Sequence, residues 1–175
     1  GTAEVVNAGL VSNTNSYGIG ISLVSGSVTN QSGGTVSSSY FGIFASGPGT
    51  STVVNAGVIA GSNTVANGVL FNASGSLVNQ STGTITGGTG VEALNGLTLN
   101  NAGGKIGGLF AGISVHGAAG DIANSGSIGR ISGADPENAD GIELVLGGTV
   151  TNASGGTVSG LNSGILASAL ATVVN

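Results

Sequence analysis

The chain has 175 residues, 36 of them glycine, with two basic and seven acidic side chains, no cysteine and a net charge of −5. So few cations cannot build the basic patch that nucleic acid or anionic lipid requires, and without cysteine there is no disulfide and no thiolate metal site. Mean hydropathy is positive, yet glycine or a polar residue interrupts every apolar run before the ~18 residues needed for a membrane-spanning helix.

In chain order, the phrase V-x-N or a close variant recurs at Val5-Val6-Asn7, Val28-Thr29-Asn30, Val53-Val54-Asn55, Leu77-Val78-Asn79, Leu99-Asn100-Asn101, Ile122-Ala123-Asn124, Val150-Thr151-Asn152 and Val173-Val174-Asn175. Successive asparagines are 23, 25, 24, 22, 23, 28 and 23 residues apart. A fixed period of this size marks one supersecondary unit used repeatedly. After each Asn comes a glycine (Gly9, Gly33, Gly57, Gly83, Gly103, Gly126, Gly155), predicted to supply unusual backbone angles for a turn. A β-branched residue follows at Val11, Val36, Ile59, Ile85, Ile106, Ile128 and Val158. A Gly-Ile or Gly-Val step then closes the unit at Gly18-Ile19, Gly42-Ile43, Gly68-Val69, Gly90-Val91, Gly112-Ile113, Gly141-Ile142 and Gly164-Ile165. Each unit therefore reads as three short strands separated by turns.

Side chains alternate along a strand. In the third strand this predicts inward pairs such as Ile19/Ile21, Val69/Phe71 and Ile142/Leu144. In the first strand it sends the Val and the Asn of V-x-N inward together. A buried amide needs partners, and an Asn one coil away supplies them, as in stacked amide ladders. The predicted ladder comprises Asn7, Asn30, Asn55, Asn79, Asn101, Asn124, Asn152 and Asn175. One coil cannot bury its apolar face alone, so the coils must stack. The expected fold is all-β: a parallel β-helix solenoid of about seven coils of roughly 24 residues, three strands each, occupying 1–175 as one segment of a longer rod. Right-handed winding is expected from the crossover rule.

Strings such as Val28-Thr29-Asn30-Gln31-Ser32-Gly33-Gly34-Thr35-Val36, Val53-Val54-Asn55-Ala56-Gly57-Val58-Ile59 and Ile122-Ala123-Asn124-Ser125-Gly126-Ser127-Ile128 resemble the β-helix repeats of bacterial autotransporter passenger domains. The resemblance runs along the whole chain, and filamentous-haemagglutinin-type adhesins share the style. It implies a right-handed parallel β-helix exported across a Gram-negative outer membrane and displayed at the surface or secreted. It carries over no functional residue, because no protease or lipase motif is present.

The 28-residue interval contains the one departure from the rhythm, an insertion over 129–140 with Arg130, Asp135, Glu137 and Asp140. Insertions in solenoids map to loops on one face, often the binding face. The functional readings are a calcium site from the three carboxylates or a glycan-binding or hydrolytic carboxylate pair; the alternative is a solvated loop. Glu92 and Glu143 are predicted to point outward from third strands two coils apart, with Ser114 between them, roughly 10 Å from each other. They read either as a hydrolytic pair or as isolated surface carboxylates. His116, the only histidine, is expected outward and unsupported as a metal ligand. Phe44 and Leu70 occupy equivalent outward positions, and Tyr17 and Tyr40 precede the glycine step in successive coils, where they can stack. Of the N-x-S/T sequons at Asn30, Asn72, Asn79 and Asn152, three belong to the ladder and are by-products of the repeat.

The sequence thus favours a non-catalytic, structural and adhesive rod with no cofactor. Its expected partners are a host or neighbouring-cell surface glycan or protein. Two alternatives stand beside it. The chain opens and closes on the same phase of the repeat, which suits head-to-tail stacking into a fibre along the rod axis. Paired carboxylates on such a scaffold would suit a polysaccharide lyase or hydrolase.

Overall fold

The computed structural model describes residues 2–131 and 139–175. They form a parallel β-solenoid of about seven coils, with no helix among the described residues. Its twenty strands, numbered in chain order, fall into three rows. The first row is β1 (Ala3–Asn7), β4 (Gly26–Asn30), β7 (Ser51–Asn55), β10 (Gly75–Asn79), β12 (Leu97–Asn101), β14 (Gly120–Asn124), β17 (Gly148–Asn152) and β20 (Ala171–Val174). The second is β2 (Leu10–Asn13), β5 (Thr35–Ser38), β8 (Val58–Gly61), β11 (Thr84–Ala93), β13 (Lys105–Val115), β15 (Ser127–Arg130) and β18 (Thr157–Ser159). The third is β3 (Ile19–Leu23), β6 (Phe41–Ala45), β9 (Asn67–Phe71), the far ends of β11 and β13, then β16 (Asp140–Leu144) and β19 (Ser163–Ala167). β11 and β13 run through the corner between rows two and three, with a register shift between Gly87 and Thr89.

Every V-x-N lies directly over the next. Val28 pairs with Val53 and Asn30 with Asn55, and the same holds from Asn7 to Asn152. The ladder is bonded in one direction throughout. Each Nδ2 donates to the Oδ1 one coil further on, from Asn7 to Asn30 at 2.8 Å and finally from Asn152 to Asn175 at 2.8 Å, with every step between at 2.8–2.9 Å. The amides also clamp the turn after them: Asn30 Nδ2 lies 3.2 Å from the Gly34 carbonyl and 3.1 Å from the Val58 carbonyl in the next coil. Asn7 through Asn124 are buried, Asn152 is half-buried and Asn175 is exposed.

The interior is otherwise aliphatic. Val28, Val36, Ile43, Ile59, Val69 and Phe71 are among many side chains with no exposure. Layers are matched by volume within a coil. Phe71 ends the third row opposite Gly75, where an added Cβ would sit 2.5 Å from the ring, whereas in the next coil small Ala93 stands with large Leu97.

Two expectations need correction. In the first coil the glycine step is Gly20-Ile21, not Gly18-Ile19, because Ile21 pairs with Ile43 and Ile19 with Phe41. Ile19 is accordingly half-buried, while Ile21 and Leu23 form the core. Strict alternation fails at this glycine: Phe41, just before it, lies against Phe44 (centroids 5.3 Å), on the outside. Nor do all the glycines after the ladder Asn have unusual backbone angles. Among them only Gly33, Gly103 and Gly155 have positive φ (81°, 83°, 84°). They sit in the longer turns. In the short turns of Asn55 and Asn124, the glycine is required by close approach, since a Cβ on Gly57 or Gly126 would strike the Gly34 or Gly104 carbonyl.

Candidate functional site

The outer face of the third row brings Glu92, Ser114, His116 and Glu143 together. Its register stacks Ser22, Phe44, Leu70, Glu92, Ser114, Glu143 and Leu166 in one column, each two residues after the glycine. The glycine itself is dictated by packing: a Cβ on Gly68 would lie 2.6 Å from the Gly90 carbonyl oxygen and 2.6 Å from Ile85 Cγ2. This close approach holds neighbouring coils in place and sets the outward column at the spacing of adjacent parallel strands, about 4.8 Å.

The N-terminal half of the face is aromatic. Tyr17 meets Tyr40 edge-on at 5.8 Å, Tyr40 lies 4.0 Å from Phe41, and Phe41 lies 5.3 Å from Phe44, measured between ring centroids. Tyr17 is 81% exposed, and the other three rings are half-buried. Leu70 continues the column but is itself buried.

The C-terminal half is a hydrogen-bonded polar row crossing four coils. Asn67 Nδ2 donates to Glu92 Oε2 at 2.6 Å. His116 Nε2 lies 3.3 Å from Glu92 Oε1 and 3.1 Å from Ser114 Oγ. Ser114 Oγ donates to Glu143 Oε2 at 2.7 Å. The polarity follows from these partners. With its proton on Glu143, the Ser114 oxygen is an acceptor toward the imidazole. Nε2 therefore carries hydrogen and serves both Glu92 and Ser114, which leaves Nδ1 as the ring's acceptor in the neutral tautomer. This differs from a nucleophile–base–acid triad, in which acid and nucleophile occupy opposite ring nitrogens and the hydroxyl proton points at the base.

Glu92 and Glu143 are thus joined through one serine and one histidine, and the reading of them as isolated surface carboxylates is overturned. Alternation and spacing put Glu92, Ser114 and Glu143 in a line. They gave no sign of His116 turning back onto Ser114, nor of Asn67, on the residue before its glycine, reaching out to Glu92. The signal for Asn67 lies in the same step that turns Phe41 outward.

The other expected site residues sit elsewhere. Arg130 ends β15, paired with Gly108, and with Lys105, Thr84, Thr86, Ser127 and Ser159 lines a groove on the second row. Lys105 shares β13 with Ser114 but stands at its far end. Asp140 opens β16 beside Ala111, is buried, and accepts from Asn162 Nδ2 at 3.2 Å. The insertion expected over 129–140 thus begins and ends in strands. Asp135 and Glu137 lie outside the described residues. Among the described residues no group of three or more metal-ligating side chains is found, and no helix is long and apolar enough to cross a membrane. Compared with known proteins, the chain matches no family model, no curated protein and no solved structure.

Proposed function

We propose that this chain is a structural and adhesive rod, displayed on or released from a Gram-negative cell surface in the manner of an autotransporter passenger, with no catalytic role. The observation that carries the reading is the third-row outer face. It sets half-buried rings and a bonded polar row in one file along a scaffold whose coils are locked by the Asn ladder. Rigid presentation of a long surface lowers the ordering cost of binding. The repeat spacing and sequence style support the surface-display part of the reading. The test is attachment. Cells displaying the chain should adhere to host or neighbouring cells, and the purified chain should compete for that attachment. Absence of both would refute the proposal.

A second reading is favoured by one observation, the linking of Glu92 to Glu143 through His116 and Ser114: a polysaccharide-active enzyme using this carboxylate pair. It requires glycosidase or lyase activity in the purified chain that disappears in Glu92→Gln or Glu143→Gln. Activity that persists in both variants rules the pair out.

A further inference from the structure

The hydrogen-bond polarity of the third-row face carries a statement about what lies against it. The Ser114 hydroxyl hydrogen, the His116 Nε2 hydrogen and one Asn67 amide hydrogen are all directed within the row. With the imidazole neutral, what the row turns outward is acceptors: Glu143 Oε1 and His116 Nδ1 have no hydrogen-bond partner among the described residues, and the carboxylate oxygens of Glu92 keep lone pairs. A ligand that satisfies this face must bring donors. Next along the same face are the aromatic rings of Tyr40, Phe41 and Phe44. They offer apolar planes edged by a phenol, suited to a ligand that is apolar on one side and hydroxylated on the other. The third constraint is charge. Glu92, Glu143 and the nearby Asp140 make this face acidic, whereas Lys105 and Arg130, the only cations in the chain, line the groove on the second row. Anionic ligands are therefore repelled here.

We infer that the third-row face binds an uncharged glycan chain laid along the rod axis. Sugar rings rest their C–H faces on Tyr40, Phe41 and Phe44, and their hydroxyls donate to Glu92, His116 and Glu143. From β6 to β16 the face covers four coil steps, about 19 Å at the spacing of parallel strands, enough for a short oligosaccharide rather than a single sugar. The inference rests on the adhesive reading and names its ligand class.

The test is calorimetric titration of the whole chain with N-acetylchitohexaose, cellohexaose and mannohexaose, with the corresponding disaccharides, and with hexagalacturonate as an anionic control. At least one neutral hexasaccharide should bind, more tightly than its disaccharide and more tightly than hexagalacturonate. Tyr40→Ala should weaken it by about tenfold, Glu143→Gln should weaken it as well, and Lys105→Gln on the second row should leave it unchanged. Circular dichroism melts on each variant separate lost binding from lost folding. If no neutral hexasaccharide binds, if hexagalacturonate binds as well, or if folded Tyr40→Ala and Glu143→Gln both bind like the parent, the inference is overturned. Chain-dependent cell attachment in the absence of any neutral-glycan binding would overturn it while leaving the adhesive reading intact.

Discussion

The ring of Phe71 fills the space that a side chain at Gly75 would need. Phe71 ends β9 and Gly75 opens β10, on the two sides of one turn. Shortening Phe71→Ala opens a cavity that resists closing, because the coils on either side are held in register by the continuous Asn ladder. The expected loss is about 3–5 kcal/mol. Gly75→Val should be destabilising for the opposite reason, overpacking, by about 1–3 kcal/mol. Urea unfolding of both variants, and of the pair combined, checks the assignment. The combined variant should lose less than the two single losses added together, since each change relieves the other.

The ladder makes a sharper prediction. Asn79→Ala takes from Asn55 Nδ2 its ladder acceptor, from Asn101 Oδ1 its ladder donor, and from the Gly83 and Lys105 carbonyls the Nδ2 beside them, all in a dry interior, so about 3 kcal/mol should be lost. Asn79→Asp should be worse at neutral pH, because a carboxylate cannot donate to Asn101 and burial disfavours its charge. Burial raises the folded-state pKa of this introduced acid above the unfolded value of about 3.9. The folded state then holds the extra proton, and stability falls as pH rises from about 4 until the folded carboxyl ionises. Melting temperature against pH should decline over that range for Asn79→Asp relative to the parent chain.

Glycines should divide by what surrounds them. Gly68→Ala puts a methyl against the Gly90 carbonyl and Ile85, and a loss of about 2 kcal/mol is expected. Gly33→Ala has open space but a φ of 81°, so the cost is backbone strain alone, about 1 kcal/mol. Gly9 has open space and no positive φ, and its replacement by Ala should be neutral or stabilising by up to about 1 kcal/mol. The order of the three thermal midpoints is the measurement.

The outer polar row is less costly to break. Ser114→Ala removes the donor to Glu143 and the acceptor for His116, and about 1 kcal/mol should be lost. In the NMR spectrum, the His116 ring should gain mobility in Ser114→Ala and more so when Glu92→Gln is added, because the two partners of Nε2 are then altered together. An unchanged ring signal in the double variant would contradict the described bonding.

Fold and site were legible in the sequence to different depths. The V-x-N spacing was sufficient to place Asn7 to Asn124 one above another, since an amide in an apolar interior has no better partner than its own copy one coil away. The same spacing misplaced the first glycine step. Gly18-Ile19 and Gly20-Ile21 read alike as letters, and only pairing with Phe41-Gly42-Ile43 chooses between them. Glu92, Ser114 and Glu143 were visible as a column, because a column follows from register. Their joining was not visible, because it depends on side-chain rotamers of His116 and Asn67 that no period encodes.

What the sequence by itself determined, then, is the stack: a period fixed by aliphatic and amide rows that can be buried only against their own repeats. What the tertiary structure alone decided is which outward residues meet. Neighbours on the outer face are some two dozen residues apart in the chain, and the glycine step breaks strict alternation there. Only assembled coils could bring Asn67, Glu92, His116, Ser114 and Glu143 into one bonded row.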